Sequence, residues 1–445
     1  MRRKIRLSPV QIIAVGFIAM ILMGALLLTL PAASRSRESF GFFNALFTAT
    51  SASCVTGLIA ADTWTQFSLF GQLVIITLIQ IGGLGFMSIA MLLSLALGKK
   101  LGLRERSVLM ESVSSPSIGG VVPFMKRALL GTLIIEGTGA VLLSFRFCPE
   151  LGFRQGIWYG IFHSISAFCN AGFDLMGRYG ECSSLTRFQS DVYVNVVIML
   201  LIILGGLGFV VWEDVRVNKL RFSKYMLHSK IMLSATALLV VIPAGLLFLM
   251  EKDASMAGMS TGQRILASIF QSVTSRTAGF NTVELSAISD GGVLVMDILM
   301  AIGAGAGSTA GGIKVTTVAI VLMGVAAFCR GKSEVEVFGR RIDRAQLHRA
   351  FCVASYFVGL ILAGSIIILA AQPLQTKDVF FEVISACATV GLTTGITQSL
   401  EPIPRLVLIL LMYSGRMDSI TVAMAITERK NTAKLQSPVE RIIIG

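Results

Sequence analysis

The stretch Ser51-Ala-Ser-Cys-Val-Thr-Gly57-Leu58 is a short polar interruption between apolar segments, with a glycine just before its last residue. It returns three more times, each time with a glycine followed by a large apolar residue. The other copies are Ser166-Ala-Phe-Cys-Asn-Ala-Gly172-Phe173, Ser272-Val-Thr-Ser-Arg-Thr-Ala-Gly279-Phe280 and Ser385-Ala-Cys-Ala-Thr-Val-Gly391-Leu392. The four glycines are 115, 107 and 112 residues apart (172 − 57, 279 − 172 and 391 − 279). A motif that returns at a nearly constant interval indicates internal repeats.

The segments around these motifs are those of a polytopic membrane protein. Of the 445 residues, 54% are hydrophobic and only 14% are charged, whereas a soluble domain carries about 25% charge. Runs such as 12–30 and 231–250 are long enough to cross a bilayer as helices. The first run starts near residue 8 and exceeds the apolar region of a secretory signal, which is about 7–15 residues long. We therefore expect a retained first spanning helix.

Each repeat has the same predicted order of segments. A long apolar helix is followed by a short amphipathic segment, the glycine motif and a second long apolar helix. The first helices are predicted at 8–31, 124–147, 230–250 and 346–371, the short segments at 38–52, 156–168, 262–275 and 376–388, and the second helices at 67–97, 192–212, 292–328 and 403–426. At 1.5 Å per residue the short segments cannot span the membrane, so each enters and leaves from one side.

The predicted fold is an all-α polytopic membrane protein with four helix–re-entrant pore loop–helix repeats in a pseudo-fourfold arrangement around one pore. Irregular backbone at membrane depth is tolerated only where protein buries it or where it lines a watery cavity. If the glycines were merely caps of buried or interfacial helices, their fourfold recurrence would have no explanation. The predicted repeats are 1–120, 121–226, 227–340 (with a broken second helix and a gating loop) and 341–430, followed by a C-terminal tail, 431–445.

The net charge of +13 is unevenly distributed. The spans that we assign to the cytosol hold 25 of the 38 basic residues and 9 of the 25 acidic ones. These spans are 1–7, 98–127, 213–230, 329–350 and 427–445. This positive-inside bias predicts that both termini are cytoplasmic, and it argues against nucleic acid as a partner. The basic face is suited equally to anionic membrane lipids and to a cytosolic protein.

Catalytic and metal-binding constellations are not apparent in the sequence. The seven cysteines form no CxxC pair and the three histidines are far apart. Cys148 and Cys182 fall in predicted external loops, where they either pair or remain small unpaired side chains. Paired acids or a Ser/His set at credible intramembrane spacing are also lacking, so we expect neither an enzyme nor a cofactor.

The glycine motifs have the chemistry of a filter for a monovalent cation. Backbone carbonyls in a narrow loop replace the hydration shell of an ion, and glycine tolerates the unusual backbone angles that this requires. The motifs carry no carboxylate before their glycines, and the short helices aim their partly negative C-terminal ends at the loops. The predicted K⁺ ligands are backbone carbonyls within the set Ser53, Cys54, Val55, Thr56, Gly57, Cys169, Asn170, Ala171, Gly172, Arg276, Thr277, Ala278, Gly279, Ala388, Thr389, Val390 and Gly391. We expect Arg276 to point behind the filter, since a guanidinium in the ion path repels K⁺.

The repeats, the four glycines and the segment Gly303-Ala-Gly-Ala-Gly-Ser-Thr-Ala-Gly-Gly-Ile-Lys314 resemble the Trk/Ktr/HKT superfamily of K⁺ transporters over nearly the whole chain. The likeness is strongest to Ktr-type (KtrB) membrane subunits, whose ending is similar to 437–445. The resemblance implies a K⁺ uptake subunit of the bacterial plasma (inner) membrane, and Gly57 implies preference for K⁺ over Na⁺. It also implies a homodimer with one pore per subunit, a cytosolic ATP/ADP-binding ring such as KtrA, and Na⁺ as an activating or coupled ion. The alternative is a less selective Na⁺/K⁺ or ammonium-permeable transporter of the same fold.

Segment 292–328 is predicted to carry the gate. Its glycines and small polar residues are too dense for one helix, at about 1 kcal/mol per glycine, so we expect two half-helices joined by a loop. The predicted gate residues are Gly303, Gly305, Gly307, Ser308, Thr309, Gly311, Gly312, Lys314 and Arg416. A phosphate loop is excluded because no strand precedes the segment and Ile313 separates the lysine from Gly312. The resemblance implies that this loop blocks the pore until it is displaced.

Arg416 lies inside an apolar helix, where a charge costs at least about 2.5 kcal/mol. It is interpreted either as an electrostatic barrier below the filter or as the partner of Asp418 or Asp297. Glu136 and Asp297 are further buried carboxylates, for which a proton or Na⁺ relay and simple helix pairing both stay open.

Overall fold

The computed structural model describes residues 8–85, 88, 102–112, 120–219, 221–332 and 334–417. The N-terminal charges of 1–7, the ends 89–97 and 418–426 of two predicted second helices (with Asp418), and the tail 431–445 lie outside the described residues. Within those ranges the chain is mostly helical and forms the four predicted helix–pore loop–helix units.

The first helix of each unit is long and apolar enough to cross a bilayer. These helices are α1 (Pro9–Thr29), α6 (Val121–Leu151), α10 (Leu227–Met250) and α14 (Arg344–Ala371). α1 begins at a capping box, in which Ser8 and Gln11 bond to each other's backbone N–H. This pairing satisfies two of the free donors at the helix start.

The short helices that follow are the re-entrant ones. They are α2 (Phe42–Ser53), α7 (Phe153–Phe168), α11 (Thr261–Thr274) and α15 (Thr376–Cys387). Their N-terminal ends are partly exposed, whereas their last turns are fully buried. Each last turn leads directly into one of the glycine motifs.

The second helices differ from one another. They are α4 (Leu69–Leu84), α8 (Val192–Leu207) with α9 (Phe209–Asn218), α12 (Asp290–Ala301) with α13 (Val315–Cys329), and α16 (Pro402–Arg416). The prediction of one continuous helix over 192–212 is wrong. Gly208, at φ +93°, separates α8 from α9, and the two meet at a 94° bend. Only glycine adopts such a φ without strain.

Four smaller elements complete the described chain. α3 (Thr63–Gln66), α5 (Leu103–Ser112) and a hairpin of β1 (Val335–Val337) and β2 (Arg340–Ile342) connect the larger helices. In the hairpin Val335 lies opposite Ile342, and both are buried. This small sheet lies on the side predicted to be cytosolic, and it is an addition to the all-helical prediction.

The packing of the re-entrant helices closes a ring. Each packs against the first helix of its own unit and against the second helix of the preceding unit: α2 on α16, α7 on α4, α11 on α8, and α15 on α12. Because α2 of the first unit contacts α16 of the last, the four units surround one axis. This closure gives a single chain the pseudo-fourfold architecture of a pore.

Candidate pore and gate

The four glycines, 115, 107 and 112 residues apart in sequence, line one cavity of about 330 Å³. A methyl group added at Gly57 would lie 2.5 Å from the carbonyl oxygen of Ala171, and one at Gly279 would lie 2.5 Å from that of Val390. The equivalent contacts of the other two glycines run from Gly172 to Ala278 and from Gly391 to Thr56. Every glycine thus abuts the carbonyl that precedes the next glycine, so no side chain fits at these positions.

The backbone of all four loops has the same unusual conformation. The residue two positions before each glycine is left-handed although it is not glycine, and the glycine is left-handed as well. The φ values are +58° at Val55, +58° at Asn170, +71° at Thr277 and +53° at Thr389. Three of these residues are β-branched, for which positive φ is a marked outlier. Strain of this kind persists only where the surroundings enforce it, and it concentrates at functional sites.

Hydrogen bonds turn the N–H groups of the loops away from the cavity. In the first loop the Val55 N–H donates to the Ala52 carbonyl (3.2 Å) and the Thr56 N–H to the Ser51 carbonyl (2.8 Å). The Gly57 N–H donates to the Ser51 hydroxyl at 3.0 Å. The fourth loop repeats this pattern, with Gly391 donating to the Ser385 hydroxyl at 3.0 Å. Successive residues of opposite hand place their N–H groups on one side of the chain, which leaves the carbonyls on the other.

The carbonyl oxygens of the loops lack partners within the described part of the chain. None of the carbonyls of 54–57, 169–172, 276–279 and 388–391 accepts a hydrogen bond there, and all sixteen residues are buried. Buried carbonyls without partners are costly, so such groups are normally satisfied. Water or a cation on the axis would satisfy them, so the ring carries the type of ligand that a cation site requires.

The side chain of Arg276 points away from the ring, toward α10. Its Nη2 donates to the hydroxyl of Thr236 on α10 at 3.4 Å, and the residue is only 6% exposed. The side chain therefore lies between the third loop and its outer helix. In front of it, the Asn170 side-chain amide and the Thr277 hydroxyl are 3.2 Å apart, across neighbouring loops.

The glycine-rich segment 302–314 forms an irregular loop beneath the ring. The Gly305 N–H donates to the Gly206 carbonyl at 2.8 Å, and the Phe209 N–H donates to the Gly307 carbonyl at 2.9 Å. On the other side the Gly312 N–H reaches the Gly415 carbonyl at 3.3 Å. The loop is therefore fastened to the broken helix of the second unit and to α16 of the fourth.

Arg416 joins this loop to the first unit. Its Nη1 donates to the Thr309 carbonyl, and its Nη2 donates to the carbonyls of Gly82 (2.5 Å) and Gly83 (2.9 Å). The Thr309 hydroxyl donates in turn to the Phe168 carbonyl, at the end of α7, at 3.0 Å. These hydrogen bonds of Arg416 go to carbonyls, and Asp297, one of the two acidic partners considered, keeps its Oδ1 buried without a hydrogen-bond partner within the described residues.

A second set of glycines, missed by the sequence analysis, places the second helices under the loops. A methyl group at Gly82, Gly205 or Gly415 would collide with the carbonyl that ends the neighbouring re-entrant helix, at Ser53, Phe168 and Cys387 respectively. The signal was available, because Gly-Gly-Leu-Gly-Phe occurs both at 82–86 and at 205–209. Arg416 follows Gly415 directly and so takes the place that Gly83 and Gly206 hold in the first two units.

Comparison with known proteins decides the family. The chain matches TrkH, the family of cation transport proteins, over residues 7–435. It belongs to the TrkH family. It is 42% identical to the potassium/sodium uptake protein NtpJ of Enterococcus hirae, over 99% of this chain and 98% of that protein. It is 40% identical to the Ktr system potassium uptake protein B of Bacillus subtilis, over 96% of this chain and 95% of that protein.

A solved structure supports the fold of this TrkH-family chain. The crystal structure of the potassium transporter TrkH from Vibrio parahaemolyticus matches with a TM-score of 0.75 and 17% identity, covering 96% of this chain and 86% of that one. The likeness confirms the predicted polytopic, all-helical architecture. Membership of a cation transporter family also confirms that the chain is not an enzyme.

The mouth of the cavity that the four glycines line is acidic. Asp174, Glu181 and Glu284 line the cavity above the four glycines. Burial and the nearby charge of Asp62 raise the pKa of Asp174 to about 7. Cys182, at the same mouth, and Cys148 are both free, so the pairing that the sequence left open is not formed.

Glu136 contacts the second loop from behind. It accepts a hydrogen bond from the Gln80 amide at 3.0 Å and lies 3.7 Å from the Cys169 sulfur. Gln80 is on α4 of the first unit and Glu136 is on α6 of the second. The contact therefore joins two units, as expected for helix pairing.

Proposed function

We propose that this protein is the pore-forming subunit of a K⁺ uptake system and that K⁺ moves inward through the ring of four loops. The supporting observation is the set of buried carbonyls, turned to one side of the backbone and without hydrogen bonds within the described chain. Carbonyl dipoles replace the water around a monovalent cation. The relatives from Bacillus subtilis and Enterococcus hirae are both described as uptake proteins for potassium.

A second candidate is a less selective transporter that also carries Na⁺ or ammonium. It is favoured by the description of the Enterococcus hirae relative as a potassium/sodium uptake protein. The presence of Gly57 in the first loop favours K⁺, since all four loops then have a glycine and no side chain displaces the carbonyls of the ring.

We further propose that loop 302–314 and Arg416 form the gate. The loop lies beneath the ring, and Arg416 fastens it to the Gly82 and Gly83 carbonyls. A guanidinium below the filter also places a positive charge on the route of the ion. Opening then requires that the hydrogen bond between Arg416 and the Thr309 carbonyl break, or that the loop and the Arg416 side chain move away together.

The setting that we propose is the bacterial inner membrane, with both termini in the cytoplasm, as the positive-inside bias indicates. The proposed assembly is a homodimer with a pore in each subunit and a cytosolic ATP/ADP-binding ring, and Na⁺ stimulates transport. Co-purification with such a ring, and flux measured with ATP, ADP and Na⁺ added in turn, tests these points.

The experiment that tests the function is ion flux into liposomes that contain the purified protein. We expect K⁺ and Rb⁺ uptake driven by a membrane potential that is negative inside the liposomes, with weak competition by Na⁺ and ammonium. Equal competition by Na⁺ would favour the less selective transporter. A lack of any cation flux both in the unsubstituted protein and in Arg416→Ala, with each shown to be folded and inserted, would reject both candidates.

A further inference from the structure

Arg276 breaks the fourfold equivalence of the loops. It stands three residues before its glycine, where the other loops have Cys54, Cys169 and Ala388. The three loops with these small, neutral side chains have the same left-handed residue and the same glycine–carbonyl contact as the third loop. The loop geometry therefore does not require a guanidinium at this position.

The surroundings of Arg276 do not neutralise it. Its single hydrogen bond within the described chain goes to Thr236 at 3.4 Å, and its Nε is buried without a partner. No carboxylate of the described ranges forms an ion pair with it. It lines a cavity of about 10 Å³ together with Asn170 and Gly206, which has room for about one water. Burying a charge without a counter-charge costs stability.

We propose that Arg276 is an affinity-determining residue of the pore: a fixed positive charge, held behind the third loop, that weakens the binding of K⁺ in the ring and so speeds its release. The carbonyls and the helix ends both attract a cation. A filter that held K⁺ too tightly would pass it slowly, because conduction requires binding weak enough for the ion to leave. The charge of Arg276 opposes that attraction without entering the ion path.

The expected effect is large enough to measure. For a charge roughly 10 Å from the ion and an effective dielectric of about 20, removal changes ion affinity on the order of tenfold. The inference rests on the proposed function, since it assumes that K⁺ occupies the ring.

The test compares Arg276→Met, Arg276→Gln and Arg276→Lys with the unsubstituted protein in the liposome flux assay. We expect the KM for K⁺ to fall about tenfold in the two neutral variants, with a lower maximal rate, because K⁺ then leaves the ring more slowly. Arg276→Lys keeps the charge and should keep the KM. Thr236→Val is the matched control, because it removes the hydrogen-bond partner without changing the charge, and its KM should not change.

Thermal unfolding in detergent separates this proposal from a structural role. Removal of an uncompensated buried charge should leave the Tm of Arg276→Met equal to or above that of the unsubstituted protein. A lower Tm or failure to fold would show that the side chain is needed for packing, and it would overturn the proposal. An unchanged KM in a folded, conducting Arg276→Met protein would overturn it too. If neither the unsubstituted protein nor Arg416→Ala conducts K⁺, the proposed function itself fails.

Discussion

At the scale of single residues, the site depends on backbone conformations that most side chains avoid. Val55, Thr277 and Thr389 are held left-handed, and the helix behind each loop supplies the hydrogen bonds that fix the neighbouring N–H groups. The glycine that follows has room for a hydrogen atom only, because a carbonyl of the next loop lies against it. A substitution at these positions therefore alters the ring rather than only its surroundings.

Gly57→Ser should lower the preference of the pore for K⁺ over Na⁺. The new Cβ would lie 2.5 Å from the Ala171 carbonyl at a residue with φ +100°, so the first two loops must move apart. We expect a several-fold lower K⁺/Na⁺ permeability ratio in liposomes, because a displaced carbonyl ring discriminates less between ions. Gly152→Ser is a matched control, also at positive φ but with open space around it. An unchanged ratio in Gly57→Ser would contradict the carbonyl filter.

Asp174 should make uptake depend on the external pH. Its carboxyl lies in the outer loop, and its pKa is raised to about 7 by burial and by Asp62. Above that pH the group is ionised and attracts cations to the mouth; below it the group is neutral. We expect the KM for K⁺ to rise about two- to threefold between pH 8 and pH 6 at low ionic strength.

Asp174→Asn is the variant that tests this assignment. It should show the higher KM at both pH values, with no pH dependence between them. Glu284→Gln removes another acid of the same mouth and should retain the pH dependence. If Asp174→Asn retains it as well, another group is responsible.

At the scale of elements, breaks in the second helices connect the ring of four loops to loop 302–314, which we propose as the gate. Glycines at the ends of α4, α8 and α16 let these helices touch the carbonyl ends of the re-entrant helices. The break after Leu207 and the long break 302–314 then form backbone bonds with each other. The Thr309 hydroxyl donates a hydrogen bond to the carbonyl of Phe168, the last residue of α7. A displacement of the loop at Thr309 would therefore break or shift this contact.

Arg416→Ala should open the pore while leaving the protein folded. The substitution removes hydrogen bonds to the carbonyls of Thr309, Gly82 and Gly83. If these favour the closed arrangement by about 3 kcal/mol, the open fraction rises on the order of 100-fold, up to full opening. K⁺ flux without the cytosolic partner measures this. Thr309→Val, which removes a single bond to Phe168, should raise the flux much less, and equal flux in Arg416→Ala and the unsubstituted protein would reject the gate assignment.

At the scale of the whole molecule, four units share one ring, so ion binding and folding are coupled. Each re-entrant helix packs on the second helix of the preceding unit, and residues from all four loops line one cavity. An ion bound by carbonyls from all four units stabilises only the assembled structure.

K⁺ should therefore raise the thermal stability of the purified protein. A ligand that binds only the folded state at 100 times its Kd adds about 2.7 kcal/mol. We expect a higher Tm in KCl than in choline chloride of the same ionic strength, and a smaller increase in NaCl. Gly57→Ser should reduce the difference between KCl and NaCl. An equal Tm in all three salts would contradict ion binding by the ring.

The sequence alone determined the architecture of the protein. The spacing of Gly57, Gly172, Gly279 and Gly391 and the lengths of the apolar segments predicted four repeats around one pore, because hydrophobic length fixes what crosses a bilayer. The glycine density of 303–312 likewise predicted where a helix cannot continue. These features are local in the chain, so composition and periodicity reveal them.

Only the tertiary structure decided how the loops and the gate are held. The left-handed Val55, Thr277 and Thr389 contradict their own propensities. The glycine that follows each of them lies against a carbonyl of another loop, more than a hundred residues away in sequence. The same holds for Arg416, whose contacts with Thr309 and Gly82 join the fourth unit to the third and first. Such contacts depend on which units become neighbours, and that is settled when the ring closes.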